Sequence, residues 1–274
     1  MLFEKKVELL RKEKHQGRET SEFLLDIKKL AEGAAFEYLM GKVMFAETVV
    51  DLSIKPMIPR KETEYWVEQA VHAVRGSDVY QEAREKEAGT KPLFRVLDLY
   101  SGSGCVGLAL LKHLDACHVT FIELDPKLKH QIELSCDLNK FSPERYEVKT
   151  GSVYDGALGT YDVIFAVPPY VPLSMKDEVM KELHAEPSLA FFDPEGGYFF
   201  HKKTLERAKE FLKEGATLFF EFDMTQRTSI EKLIREQGFF KYSFLTDPYG
   251  HDCAVAISLL TLQQKSLHFS NELF

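Results

Sequence analysis

The segment LFRVLDLYSGSGCVG (93–107) constrains this chain more than any other. A short apolar run ends at Asp98, the turn Ser101-Gly102-Ser103-Gly104 follows, and the helix-like stretch LALLKHL comes next. Similar apolar runs recur: VTFIEL (119–124), YEVKT (146–150), YDVIFAV (161–167), ATLFFEF (216–222) and CAVAISLL (253–260), with KYSFL (241–245) as a late strand. Helical patterns lie between them at 126–140, 200–213 and 225–237. Strands alternating with helices predict an α/β domain on a mostly parallel sheet covered on both faces. In such sheets ligands bind beyond the carboxyl ends of the strands.

Upstream of this pattern the chain reads differently. Residues 1–32 are charge-rich, with Val7, Leu10, Phe23, Leu24, Ile27 and Leu30 at helical spacing. Gly17 interrupts the pattern and Thr20-Ser21 suits a cap, so two helices are expected. Charge-laced helices of this kind are solvated appendages more often than partner platforms. VMFAETVVDLSIK (43–55) alternates as a hairpin, and Pro56 and Pro59 bracket a rigid turn. ETEYWVEQAVHAV (62–74) has helical periodicity, and the polar stretch 75–92 reads as an exposed connection or a frayed helix.

Composition excludes several classes. With 274 residues the chain can bury a core without disulfides. A formal charge of −8 argues against a generally basic nucleic-acid binder. Cys105, Cys117, Cys136 and Cys253 form no CxxC pair and fit no metal spacing, so reduced thiols, a cytoplasmic protein and no metal are expected. The charged start is no signal peptide, and no apolar run reaches the ~18 residues of a membrane span.

Gly102 and Gly104 let backbone approach a ligand, and the helix that follows offers free N–H groups. The next strand ends at Glu123, whose carboxylate can accept both hydroxyls of a ribose. Gly102, Gly104 and Gly107 spell GxGxxG, yet the acid at Asp98 precedes the glycines, as it does in S-adenosylmethionine-dependent methyltransferases. The fourth strand runs into Val167-Pro168-Pro169-Tyr170. Two prolines remove two donors and fix two φ angles, leaving a stiff loop with free carbonyls, notably that of Pro168, beside an aromatic face. Such a loop can hold a planar amide or base against a methyl donor.

Together these segments resemble the HemK family of release-factor glutamine N5-methyltransferases over roughly residues 33–260. GAAFEYLMG (33–41) is similar to the family's leading segment, and MIPRKETE (57–64) to its LIPRPETE signature. DLYSGSG (98–104) stands where the family has DLGTGTG, IELDP (122–126) where it has the ribose acid, and VPPYVP (167–172) where it has NPPYVP. FFDPEGGYFFHKKTLERA (191–208), FEFD (220–223) and DPYGHD (247–252) match later motifs.

The resemblance implies a seven-stranded Rossmann-like methyltransferase domain over 59–260, a helical module over 1–42, a linking hairpin over 43–58 and a tail over 261–274. It implies S-adenosylmethionine as cofactor, held by Asp98, Tyr100, Ser101, Gly102, Ser103, Gly104, Glu123 and Val153, with Val167 also at the cofactor. It implies Val167, Pro168, Pro169 and Tyr170 at the target amide, with Pro59, Arg60, Glu62 and Thr63 walling the site. The implied partner of a monomeric chain is a peptide chain release factor, methylated on the glutamine of its GGQ motif, with neither membrane nor nucleic acid involved.

Three positions depart from the family pattern. Tyr100 replaces a glycine, Ser152-Val153 replace an acidic residue, and Val167 replaces the asparagine of NPPY. In the family that asparagine and the first proline's carbonyl accept the two amide hydrogens, which aims the nitrogen lone pair. Valine has nearly the same shape and no acceptor, and losing such a bond in a transition state lowers a rate by ~10²–10³-fold. Two other readings stay open: a non-catalytic adenosylmethionine-binding scaffold, and a methyltransferase for exocyclic amines of nucleic-acid bases. His251-Asp252 reads as a surface turn rather than an acid/base pair, because Pro248 and Gly250 are turn residues.

Overall fold

The computed structural model describes residues 1–86, 94–179, 183 and 186–259. The predicted tail 261–274, residue 260 of the last predicted strand and part of the connection at 75–92 lie outside the described residues.

Residues 1–32 carry the two helices expected there, α1 (Phe3–Leu9), running on as a π-helical turn at Leu10–Lys14, and α2 (Ser21–Ala31); the short α3 (Phe36–Met40) follows. Thr20 caps α2 as its type suggests, its hydroxyl accepting from Phe23 N at 3.2 Å. Leu10, Phe23, Leu30, Phe36 and Leu39 bury a small core of their own. The hairpin follows as β1 (Lys42–Phe45) and β2 (Thr48–Asp51), turning on Ala46 and Glu47 at positive φ.

Next come α4 (Lys61–Arg75), α5 (Asp78–Lys86), β3 (Phe94–Leu99), α6 (Cys105–His113), β4 (Cys117–Glu123), α7 (Pro126–Leu138) and β5 (Tyr146–Thr150). After these are β6 (Tyr161–Ala166), the two-residue strands β7 (Val171–Pro172) and β8 (Phe192–Asp193), α8 (Phe199–Phe211), β9 (Leu212–Glu221), α9 (Arg227–Glu236), β10 (Tyr242–Thr246) and β11 (Asp252–Ser258). Of the two readings of 75–92, α5 favours the helix over the exposed connection. Its Tyr80 and Ala83 are buried, and the Tyr80 hydroxyl donates to Asp115 at 2.6 Å. Two buried positions among charges are too few to mark a helix face in sequence.

Seven strands form one sheet in the order β10-β11-β9-β6-β3-β4-β5. β9, β6, β3, β4 and β5 run parallel, and β11 and β10 are antiparallel to their neighbours. Helices α4 to α7 and the hairpin cover one face, and α8 and α9 the other, around two apolar clusters. The central strands are buried on both faces, which is why they read as unbroken apolar runs. The chain order reverses between β3 and β6, so the crevice at the carboxyl ends of β3, β4 and β6 is where this topology seats ligands.

Gly107 packs α6 against β4. A Cβ there would lie 2.1 Å from Cε1 of Phe121. Gly107→Ala is therefore expected to destabilise the protein by ~1–3 kcal/mol, read as a lowered urea midpoint, with Phe121→Leu in the same chain restoring part of the loss.

Candidate functional site

The strand ends are in register. Leu99 pairs with Ile122 on one side and with Ala166 on the other, and Ala166 pairs with Phe220. The next residues along the edge are Glu123, Tyr100, Val167 and Glu221, one from each of four neighbouring strands. Neighbouring strands lie about 4.8 Å apart, so this row spans roughly 15 Å.

On the β4 side Glu123 is 8% exposed. Its Oε2 accepts from Gly102 N at 2.7 Å and its Oε1 from Asp125 N at 2.8 Å. Burial raises its pKa, against the pull of those backbone donors. The glycine turn is pinned from behind. Ser101 Oγ donates to Asp98 O at 2.8 Å, and Asp98 Oδ2 accepts from Gly107 N at 3.0 Å. Asp98 is 1% exposed, and burial pushes its carboxyl up to about 8. It thus acts on the turn from beneath. Ser103 and Gly104 are also buried.

Gly102 has φ +53°, and a Cβ there would meet only Tyr100 O, at 3.8 Å. The outer side of the turn is open, as a cradle for a nucleoside requires. Tyr100 and Val153 have φ of +57° and +51°. For a β-branched residue that is a genuine outlier, and such strain clusters at ligand sites. Tyr100 swings onto α8, where its hydroxyl meets Thr204 Oγ1 at 2.9 Å and Phe200 O at 3.2 Å. The side chain at the former glycine position is thereby held against α8, through the Phe200 ring and these two bonds.

On the β6 side Pro168 and Pro169 are buried, and Val167 and Tyr170 are partly exposed. Val167 packs against the cluster that holds Trp66, Phe165 and Phe219. Among the described residues nothing donates to the Pro168 carbonyl, as the diproline pattern predicts. The Tyr170 hydroxyl donates to Glu221 Oε1 at 3.0 Å. Gln226 Nε2 donates to the carbonyls of Tyr170 and Gly197, both at 3.1 Å, and fixes the loop from behind. A Cβ at Gly197 would lie 2.4 Å from that nitrogen, so glycine is required there.

The residues of 57–64 divide. Thr63 is buried, and its hydroxyl donates to Glu221 Oε2 at 2.7 Å. Arg60 instead pairs with the buried Glu186 at 2.7 Å, whose other oxygen accepts from Ile58 N at 2.7 Å. Arg60 therefore braces the segment after the diproline loop. Pro59 is partly exposed and Glu62 points to solvent.

Sequence reasoning missed Glu221, Trp66, Gln226 and Glu186. Glu221 was quoted within FEFD, and only its acid at a strand end, like that of Glu123, signals a role. Its carboxylate is 4% exposed and collects three donors: Thr63, Trp66 Nε1 at 2.6 Å, and Tyr170. Burial raises its pKa nonetheless. His251 hydrogen-bonds to Asp247 while Asp252 pairs with Arg227, so the two make no acid/base pair and the turn reading holds. A cavity of about 560 Å³ lies elsewhere, beside His72, Arg75, Arg84 and Lys112, and none of the predicted site residues lines it. No described helix is long and apolar enough to cross a membrane.

No protein-family profile matches the chain. It is similar to the release factor glutamine methyltransferase of Fusobacterium nucleatum, with 29% identity over 221 residues, 79% of this chain and 57% of that protein. It is similar to the protein of the same name from Flavobacterium psychrophilum, with 26% identity over 232 residues, 84% of this chain and 77% of that one. A bifunctional methyltransferase of Rickettsia bellii is 23% identical over 243 residues, 83% of this chain and 43% of that protein. The chain thus spans little more than half of the first of these relatives. Among solved structures, a methyltransferase of Pyrococcus furiosus matches 87% of this chain and 95% of its own, with TM-score 0.53 and 17% identity. The catalytic domain of human METTL16, in complex with an RNA hairpin, matches 92% of this chain and 82% of its own, with TM-score 0.55 and 14% identity. The fold is the Rossmann-like fold of S-adenosylmethionine-dependent methyltransferases, and in sequence the chain resembles the release-factor enzymes.

Proposed function

We propose that this protein transfers a methyl group from S-adenosylmethionine to the glutamine side-chain nitrogen in the GGQ motif of a peptide chain release factor. The carrying observation is the register row, which sets the glycine turn one strand and Glu123 two strands from the diproline loop on one sheet edge. Curated relatives with release factor glutamine methylation in their names support the choice of acceptor.

The residues fit the cofactor. Glu123 would take the ribose hydroxyls, the open side of Ser101 to Gly104 would approach the amino acid end, and Tyr100 and Val153 would flank the base. Asp98 holds that turn in shape. S-adenosylmethionine supplies an electrophilic methyl on a sulfonium. The chain's own contribution is placement. The Pro168 carbonyl accepts one amide hydrogen, Tyr170 backs the amide plane, and the braced loop holds both at attack distance. Positioning of this kind is worth up to ~7–11 kcal/mol. Arg60 acts through Glu186 on the loop that follows. All these groups come from one chain, so a monomer suffices, and four free cysteines suit the cytoplasm.

The test is mass spectrometry of a release factor incubated with the protein and S-adenosylmethionine. One added methyl on the GGQ glutamine is expected, and none on a factor with that glutamine replaced. Labelling of RNA with no labelling of release factor would overturn the assignment in favour of base methylation. Pro168→Ala in the same assay is expected to lower kcat by about tenfold or more, because the loop carbonyl loses its fixed direction.

A further inference from the structure

Resting on that reading, we propose that Glu221 stands in for the acceptor that Val167 lacks: its Oε1 receives one N–H of the target amide and takes the proton that leaves nitrogen. Three observations carry this. Ala166 pairs with Phe220, so Val167 and Glu221 are the next neighbours on adjacent parallel strands, about 4.8 Å apart. Both side chains lie on the face covered by α4: Val167 packs on the cluster containing Trp66, and Glu221 bonds to Trp66 itself. A carboxylate offers roughly four acceptor positions. Among the described residues Oε2 receives Thr63 and Trp66, while Oε1 receives Tyr170 alone. One position on Oε1 remains, on the oxygen bonded to the tyrosine of the diproline loop.

The chemistry needs such a group. An amide nitrogen must shed a proton when it is alkylated. In the balanced step the nitrogen lone pair forms the N–C bond and the C–S pair stays on sulfur as a neutral thioether. The N–H pair returns to nitrogen, and the proton passes to Oε1. An asparagine oxygen can orient the amide but is a feeble base. A carboxylate held by three donors does both, and a charged acceptor makes a hydrogen bond about twice as strong. The other titratable groups around Glu221 are Glu62 on α4, Cys105 on α6, Cys253 on β11, and Tyr170 and Asp223 in the adjoining loops. Burial pushes Cys105 and Cys253 up to about 12 and Tyr170 well above its ordinary value, so these three stay neutral near pH 7. Glu62 is exposed.

The test is a double-mutant cycle with Val167→Asn, read by kinetics and by one spectroscopic signal. Glu221→Gln is expected to lower kcat by about 10²-fold with the KM for S-adenosylmethionine unchanged. Val167→Asn should raise kcat about tenfold or more in the Glu221→Gln background, and by a clearly smaller factor where Glu221 already serves as acceptor. The wild-type kcat should fall on acidification as Oε1 is protonated, and Glu221→Gln should flatten that limb. Trp66 is the chain's single tryptophan, so its indole N–H resonance reports on this carboxylate. In cofactor-free protein a GGQ peptide should shift that resonance, and should leave it unmoved in Glu221→Gln. Should Glu221→Gln not fold, Glu221→Asp replaces it, with lowered kcat and an acid limb retained. A Glu221→Gln enzyme with wild-type kcat, or a peptide that binds without shifting the indole, overturns the role of Glu221 and leaves the methyltransferase reading intact. If neither wild type nor Val167→Asn methylates release factor, the functional reading fails; an indole shift in that case would still place an amide at Glu221, and its absence would reject both.

Discussion

Glu123→Ala is expected to weaken S-adenosylmethionine binding about 10²–10³-fold, measured by calorimetry on cofactor-free protein. Two separate losses combine. The carboxylate would accept both ribose hydroxyls, and hydrogen bonds to a charged group contribute ~1.5–3 kcal/mol each. It also holds Gly102 N at 2.7 Å, so its removal releases the apex of the turn that cradles the ligand. Glu123→Gln should fall between the two, because the amide can satisfy only one of those roles. The turn's other braces, Ser101 and Asp98, are untouched, so the variant should stay folded. An affinity within threefold of wild type would remove Glu123 from the pocket and with it the nucleoside reading of this edge.

The second large effect is in stability. Wild type is expected to lose roughly 2 kcal/mol between about pH 6.5 and 8, some 4–8 °C in Tm, and Asp98→Asn should abolish most of that slope. The sign follows from the protons bound. Burial raises the Asp98 pKa from 3.8 unfolded to about 8 folded. Between those values the folded state holds a proton that the unfolded state has released, so stability falls as pH rises, by about 1.4 kcal/mol per unit, and levels off above 8. Glu123 and Glu221, also raised by burial, add slopes of the same sign. His201 opposes them at lower pH. Burial lowers its pKa, so the unfolded state gains a proton first as pH falls through about 6.5. Above that point the carboxylates act unopposed. Asp98→Asn keeps an oxygen for Gly107 N and removes the charge. A wild type whose Tm rises from pH 6.5 to 8 would show that Asp98 is ionised throughout and that its role beneath the turn is misassigned.

What could be read in advance had a physical basis within a few residues. β3, β4 and β6 announce themselves because strands buried on both faces must be apolar throughout. The glycine turn and the prolines at 168–169 declare backbone conformations that few other residues tolerate. Glu123 stood out because an acid closing such a strand faces a ligand edge. α5 was legible only as one of two alternatives, since its helix shows only in two buried side chains among charges. The one-residue difference at Val167 was legible too, together with its consequence for an amide.

The partner of Val167 was not legible. Tyr170 and Glu221 are 51 positions apart, and Thr63 and Glu221 are 158 apart. Only the parallel register of β6 and β9 sets residue 221 beside residue 167, and only the packing of α4 on the sheet turns Trp66 and Thr63 onto the same carboxylate. Local periodicity fixes which residues become strands and turns; it is silent on which strand ends become neighbours. Sheet order, closed by burial of both faces at once, made that choice and gathered three donors around one acid.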